Sequence, residues 1–227
     1  MGIKTVNLTY CRLVFLVAFV HRKLTFNSRA SYLVIAKRHH EMKAVSTHSQ
    51  QMRPVALLLI SVTTIVSGAV IGASTSAINV AISPTYFRNI MRWHDVQNIW
   101  RATIAQGIFE GLIYGVVFSV VFTMVVGIVS RVRCSFAFAS RHLVAIVIAI
   151  YCCWAAGGLL AMGLAILSPD FYQNTFFGVP DAYGPMLGYA WVGGSIWGAL
   201  FGGLLALSIG SVLFVARWCQ SQSDIAA

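Results

Sequence analysis

The stretch SPTYFRN, Ser83 to Asn89, returns as SPDFYQN, Ser168 to Asn174, and each copy closes a long apolar run. Proline lacks the amide that a continuing helix needs and forces the residue before it out of the helical region, so Pro84 and Pro169 both read as helix stops. The aromatic pair after each proline suits a membrane–water interface, and the asparagine suits a turn or cap. Working outward from both copies, the unit is an apolar helix, an SP-aromatic-aromatic loop and a second apolar helix, present twice.

Four windows are long and apolar enough for a hydrocarbon core about 30 Å thick, which takes about 20 helical residues. They are Val55 to Ile82, Thr103 to Val129, Leu143 to Leu167 and Met186 to Val215. With 58% hydrophobic and 10% charged residues, the chain is too apolar for an ordinary soluble domain. Continuous apolar windows exclude the alternating pattern of a membrane barrel. The expected fold is all-α, a polytopic membrane protein whose four transmembrane helices form two tandem, parallel-repeat hairpins. The expected organisation is a basic segment over 1–54, a first hairpin over 55–130, a basic cytoplasmic connection over 131–142, a second hairpin over 143–217 and a short tail over 218–227.

Shifting the chain by 85 residues superimposes the two SP signatures: Ser83 on Ser168, Pro84 on Pro169, Asn89 on Asn174. A shift of 87 places Gly107, Gly111 and Gly115 on Gly194, Gly198 and Gly202, with a two-residue insertion in the second loop reconciling the offsets. An even number of spans per repeat makes the hairpins parallel, related by an axis along the membrane normal.

Residues 1–51 hold eight Lys or Arg and one acid, giving +7 of the net +10. Such a segment reads as positive flanking of the first span or as a surface segment on an anionic leaflet. The run LVFLVAFV, Leu13 to Val20, is too short to span and lacks a small-residue cleavage site. MRPVALLLISV makes Met52 an alternative start, and disorder is the other reading of the segment. Arg53, Arg131, Arg133, Arg141 and Arg217 lie at one set of helix ends, against Arg88, Arg92 and Arg101 at the other. The larger set should be cytoplasmic, placing both termini inside a bacterial cytoplasmic membrane.

Small residues recur every four positions in all four windows. Thr64, Gly68, Gly72 and Ser76 mark the first, and Gly107, Gly111, Gly115, Ser119, Thr123 and Gly127 the second. Ala145, Ala149, Cys153, Gly157, Ala161 and Ala165 mark the third; Gly194, Gly198, Gly202, Ala206 and Gly210 mark the fourth. In lipid, helices associate through close backbone approach, which small residues permit. These stripes imply a compact bundle, and a homo-oligomer or membrane-protein partner if one stripe faces outward.

Glu110 is the one ionisable side chain well inside a window. Charge within the bilayer costs a few kcal/mol and marks a functional candidate, here for a proton, a cation or a small solute. The competing role is a protonated side chain hydrogen-bonded to neighbours. Thr75, Ser76 and Asn79 should lie at comparable depth, with Gln106 one turn away. The repeat equivalent of Glu110 is Trp197, so the carboxylate is not duplicated, which weakens the transporter reading.

No nucleophile stands beside a base, and no HExxH, Walker or dinucleotide motif occurs. The five cysteines have no zinc-ligand or CxxC spacing, so the expectation is no enzyme, no metal and no cofactor. Basic flanks of spans explain the positive charge without nucleic acid; the expected partner is the lipid bilayer.

Carried by the SP-aromatic-aromatic loop and the glycine-rich helix after it, residues 52–227 resemble four-helix bacterial integral membrane proteins of unknown function with an aspartate-or-serine, proline, aromatic-aromatic loop between paired spans. The resemblance implies a multi-pass fold and no activity. Thr85 against Asp170 marks a position where the two copies differ. The first expectation for function is a non-catalytic structural or assembly component; the alternative is a small transporter or channel subunit using Glu110; a membrane enzyme comes third.

Overall fold

A computed structural model describes residues 54–131 and 133–226. The readings of residues 1–53, including the start at Met52, lie outside the described residues. The described chain is all helical: α1 Pro54–Ile82, α2 Pro84–Ile90, α3 Ile99–Ser130, α4 Phe136–Leu167, α5 Pro169–Thr175 and α6 Tyr183–Ala226. Helices α1, α3, α4 and α6 are long and apolar enough to cross a membrane. The chain is a multi-pass membrane protein. In hydrocarbon no water meets exposed peptide groups, and helices satisfy theirs internally.

Local signals set the helix ends. Ser83 and Ser168, each ahead of a proline, adopt nearly the same non-helical backbone, φ −146°, ψ 88° and φ −147°, ψ 78°. Asn98 caps α3 by accepting from the Arg101 amide at 3.1 Å, and Ser135 caps α4 by accepting from Phe138 at 3.3 Å. Helix α3 ends at Arg131, in the left-handed region at φ 47°.

Three boundaries differ from the sequence expectation. The SP signatures are not loops: Pro84 and Pro169 end one helix and open another, the seven-residue α2 and α5, because a proline at the first helical position sacrifices no hydrogen bond. The connection expected over 131–142 is cut short by the Ser135 cap, so Arg141 already lies on α4. The expected tail over 218–227 continues α6 through Ala226, since no Gly or Pro follows Gly210 to stop it. At about 1.5 Å per residue α6 is roughly 66 Å long and must project beyond the bilayer.

Helix α1 packs mainly on α3, and α4 mainly on α6. The stripes meet inside each hairpin. A Cβ on Gly72 would collide with the Gly107 carbonyl, and one on Gly68 would sit 2.8 Å from the Gly115 Cα. In the second hairpin a Cβ on Gly157 would collide with the Gly194 carbonyl and lie 2.7 Å from the Gly198 Cα, while Gly198 and Gly202 pack on Cys153. Gly107 faces Ser76 where Gly194 faces Ala161. These glycines permit backbone contact that any side chain would block. The glycine stripes of α3 and α6 thus face α1 and α4 inside each hairpin.

All four long helices meet at the Arg131 end, where Ile60, Phe122, Val126, Leu143, Leu207 and Phe214 are buried together. At the opposite end Val80, Phe87 and Ile99 pack as one group, and Ala165, Tyr172 and Met186, at the 85- and 87-residue offsets, pack as another. Phe87 and Tyr172 are therefore buried within the protein, whereas Phe171 is exposed.

Candidate functional site

Between the two packed ends the hairpins do not close on each other, and a cavity of about 400 Å³ remains. Thr75, Ser76 and Asn79 of α1 line it together with Gln106 and Glu110 of α3. The sequence placed these side chains at one depth; the packing of α1 on α3 turns them to one space. Glu110 lies about 16 Å along α3 from Ile99, about a third of the way along the helix.

Of the neighbours named from sequence, Gln106 is the one that bonds Glu110, and the α1 side chains bond elsewhere. Gln106 Nε2 donates to Glu110 Oε1 at 2.7 Å, one helical turn away. Thr75 instead donates to the Ile71 carbonyl of its own helix at 2.7 Å. Asn79, buried, accepts at Oδ1 from Ser195 Oγ of α6 at 3.1 Å. Glu110 Oε2 makes no hydrogen bond among the described residues.

Tyr86 of α2 forms the wall at the SP end. Its phenol is pushed above the usual tyrosine range first by burial and then by the Glu110 carboxylate, which lines the same cavity. Tyr86 also packs on Tyr189, with ring centroids 4.8 Å apart. Tyr172 of α5 is pushed up to about 12 by burial, with a further contribution from Tyr86. Thr103, fully buried, lines the cavity with a hydroxyl that has no hydrogen-bond partner, and the Trp154 indole N–H is likewise unpartnered. A buried polar group without a partner is uncommon, because desolvation goes uncompensated.

Ser195, Thr103 and Trp154 were not singled out by sequence, whereas Tyr86 stood in the SP signature only as one of its aromatic pair. Ser195 had a signal, a hydroxyl inside the glycine-rich run GGSIWG; Thr103 and the aromatics look like ordinary helix residues. Trp197, which aligns with Glu110, is exposed and stacks on Phe201 at 5.4 Å. The single carboxylate is thus faced across the cavity by Ile196, Ala199 and Leu200 of α6, not by a second polar set.

The remaining signature residues act elsewhere. Asn89 does not cap its own helix; its Nδ2 donates to the Gly178 carbonyl, 2.6 Å away in the second hairpin's connection. Asn174 donates to the Asp170 carbonyl of its own short helix at 2.8 Å. Gly178 needs its glycine, at φ 72°. Tyr189 Oη donates to the neighbouring Phe177 carbonyl at 2.5 Å. Among the described residues no cluster of three or more His, Cys, Asp or Glu is assembled.

No protein-family model matches the chain, and no curated protein or solved structure is detectably similar to it.

Proposed function

We propose that this membrane protein holds a small solute within the bilayer, in the cavity between its hairpins, with Glu110 as the polar anchor, and acts as a small transporter or channel subunit without catalysis. The observation that carries this reading is the convergence of Glu110, Gln106, Asn79, Ser76 and Thr75 on one space of about 400 Å³. That volume falls in the range of small-molecule sites, and an intramembrane carboxylate facing a cavity is a common mark of a substrate or ion path.

The packing suits motion between hairpins. Each hairpin is locked internally by glycine-to-backbone contact, whereas few contacts join the two. Rocking of one half against the other around a midplane site is a general transport device. The structural or assembly role, the first expectation from sequence, is not what the cavity favours; the stripe glycines pack inside the hairpins.

The same proposal includes an origin by hairpin duplication. It is supported by the equivalence of Gly72 and Gly107 with Gly157 and Gly194, and of Val80, Phe87 and Ile99 with Ala165, Tyr172 and Met186. It also includes membership in the four-helix bacterial group that the SP signature resembles, and a cytoplasmic membrane with both termini inside, resting on the arginine asymmetry.

The test is native mass spectrometry of the full chain in mild detergent beside Ala199→Phe, which fills the cavity from α6. A small molecule retained by the wild type and lost from the folded variant supports the reading. Equal retention by both, or a wild type that retains nothing and binds nothing from a solute panel, overturns it.

A further inference from the structure

We infer that the cavity takes a small lipophilic monocation, an amine or quaternary ammonium carried on an aromatic or branched alkyl body; this rests on the cavity reading above and names its ligand class. The charge comes first. Of the residues lining the cavity Glu110 is the one carboxylate, and none is Lys, Arg or His. A wall with one negative and no positive side chain, deep in a low-dielectric bundle, repels anions and compensates the desolvation of one positive charge. Gln106 occupies Glu110 Oε1, which orients the carboxylate and leaves Oε2 for a ligand.

Size comes second. A single water occupies about 30 Å³, so a proton or bare metal ion would leave most of the cavity of about 400 Å³ empty. The far wall, with Ile146, Ile150, Ile196 and Leu200, offers no hydration for a hydrated ion and suits a hydrocarbon body.

The third observation is aromatic. Tyr86, Phe87, Tyr114, Phe118 and Trp154 come from α2, α3 and α4 and surround the same space as Glu110. Aromatic faces attract a cation through their quadrupole, most strongly where water is excluded. A carboxylate with several rings and an aliphatic floor is complementary to an organic cation and to no other common solute class in all three respects.

The experiment uses the full chain in zwitterionic nanodiscs, so that lipid charge does not itself collect cations. Binding is measured by equilibrium dialysis for three probes of similar shape: benzyltrimethylammonium, its neutral carbon analogue neopentylbenzene, and phenylacetate. The expected result is saturable binding of the ammonium at one per chain, at least tenfold tighter than either other probe after correction for partition into empty nanodiscs. Glu110→Gln, which keeps a hydrogen bond to Gln106, should weaken it at least tenfold, and Glu110→Asp should recover part of the loss. Equal affinity for the neutral probe, tighter binding of phenylacetate, no ammonium binding, or an unchanged affinity in Glu110→Gln each overturns the inference; the probe series on wild type decides the matter even if a variant fails to fold. The cavity reading fails separately: if all three probes bind alike and Ala199→Phe abolishes all of them, the cavity stands and the charge preference falls, whereas ammonium binding that survives Ala199→Phe removes both.

Discussion

Ser195 and Asn79, both buried and 116 residues apart, are joined by a hydrogen bond from Ser195 Oγ to Asn79 Oδ1 of 3.1 Å that ties α6 to α1 beside the cavity. It is a direct side-chain tie between the hairpins at the depth where the cavity lies. Hydrogen bonds between membrane helices contribute roughly 0.6 kcal/mol on average and up to about 1.7.

Ser195→Ala should therefore destabilise the protein by about 1 kcal/mol, read as a lower melting temperature in detergent. A double-mutant cycle with Asn79→Ala should show a coupling of similar size. Additive effects of the two substitutions would mean that the bond does not hold the hairpins together.

The Asn89 amide reaches Gly178, whose φ of 72° suits glycine and whose added Cβ would stand 3.0 Å from the Asn89 Cβ. Gly178→Ala combines left-handed strain of about 1–2 kcal/mol with that crowding, and Asn89→Ala removes the bond. Both should loosen the connection between α5 and α6. Chymotryptic cleavage after the exposed Phe176 and Phe177 should accelerate in each variant; an unchanged rate in both would show that the contact does not restrain this connection.

Two glycines on the second hairpin separate packing from composition. A Cβ on Gly198 would lie 2.9 Å from the Gly157 Cα and collide with the Cys153 carbonyl, whereas one on Gly163 meets nothing within 4 Å. Gly198→Ala should lower the melting temperature by several degrees because α4 and α6 must separate. Gly163→Ala should leave it unchanged or stabilise by about 0.5–1 kcal/mol, through the better helix propensity of alanine. Similar melting shifts in the two would remove the role assigned to glycine contact.

Cys134, in the connection between α3 and α4, is buried, and its thiol is pushed up to about 11 by that burial, against a smaller opposing contribution from a backbone hydrogen bond to Ala139. Because the thiolate is the nucleophile, only about one thiol in a thousand is reactive at pH 8. In a variant retaining Cys134 as its one cysteine, maleimide labelling should rise about tenfold per pH unit from pH 8 to 10. A rate that levels off below pH 9 would contradict a buried thiol at this place.

Several parts of this arrangement were readable from the residues. Val55 to Ile82 is predominantly apolar and carries no charged residue, and a run of that length in lipid has a helix as its one economical solution, whatever its neighbours do. Glu110 stood out for the same local reason, as a carboxylate that lipid tolerates poorly. Pro84 and Pro169 were ambiguous, since a proline that stops one helix is equally suited to open the next. For Asn89 a turn or cap is all that local sequence suggests, whereas its partner Gly178 is 89 residues away.

The four spans, their order along the chain and the small-residue stripes follow from the residues alone, because hydropathy, proline placement and four-residue spacing act within a few turns of one helix. Only the tertiary structure decided that the glycines are used up inside each hairpin, that Glu110 with Gln106 shares a cavity with Asn79, and that Ser195 closes its edge. Those relationships depend on how two already formed helix pairs dock. In lipid that docking is set by shape and scattered polar contacts rather than by hydrophobic drive, so no local pattern in the chain records it.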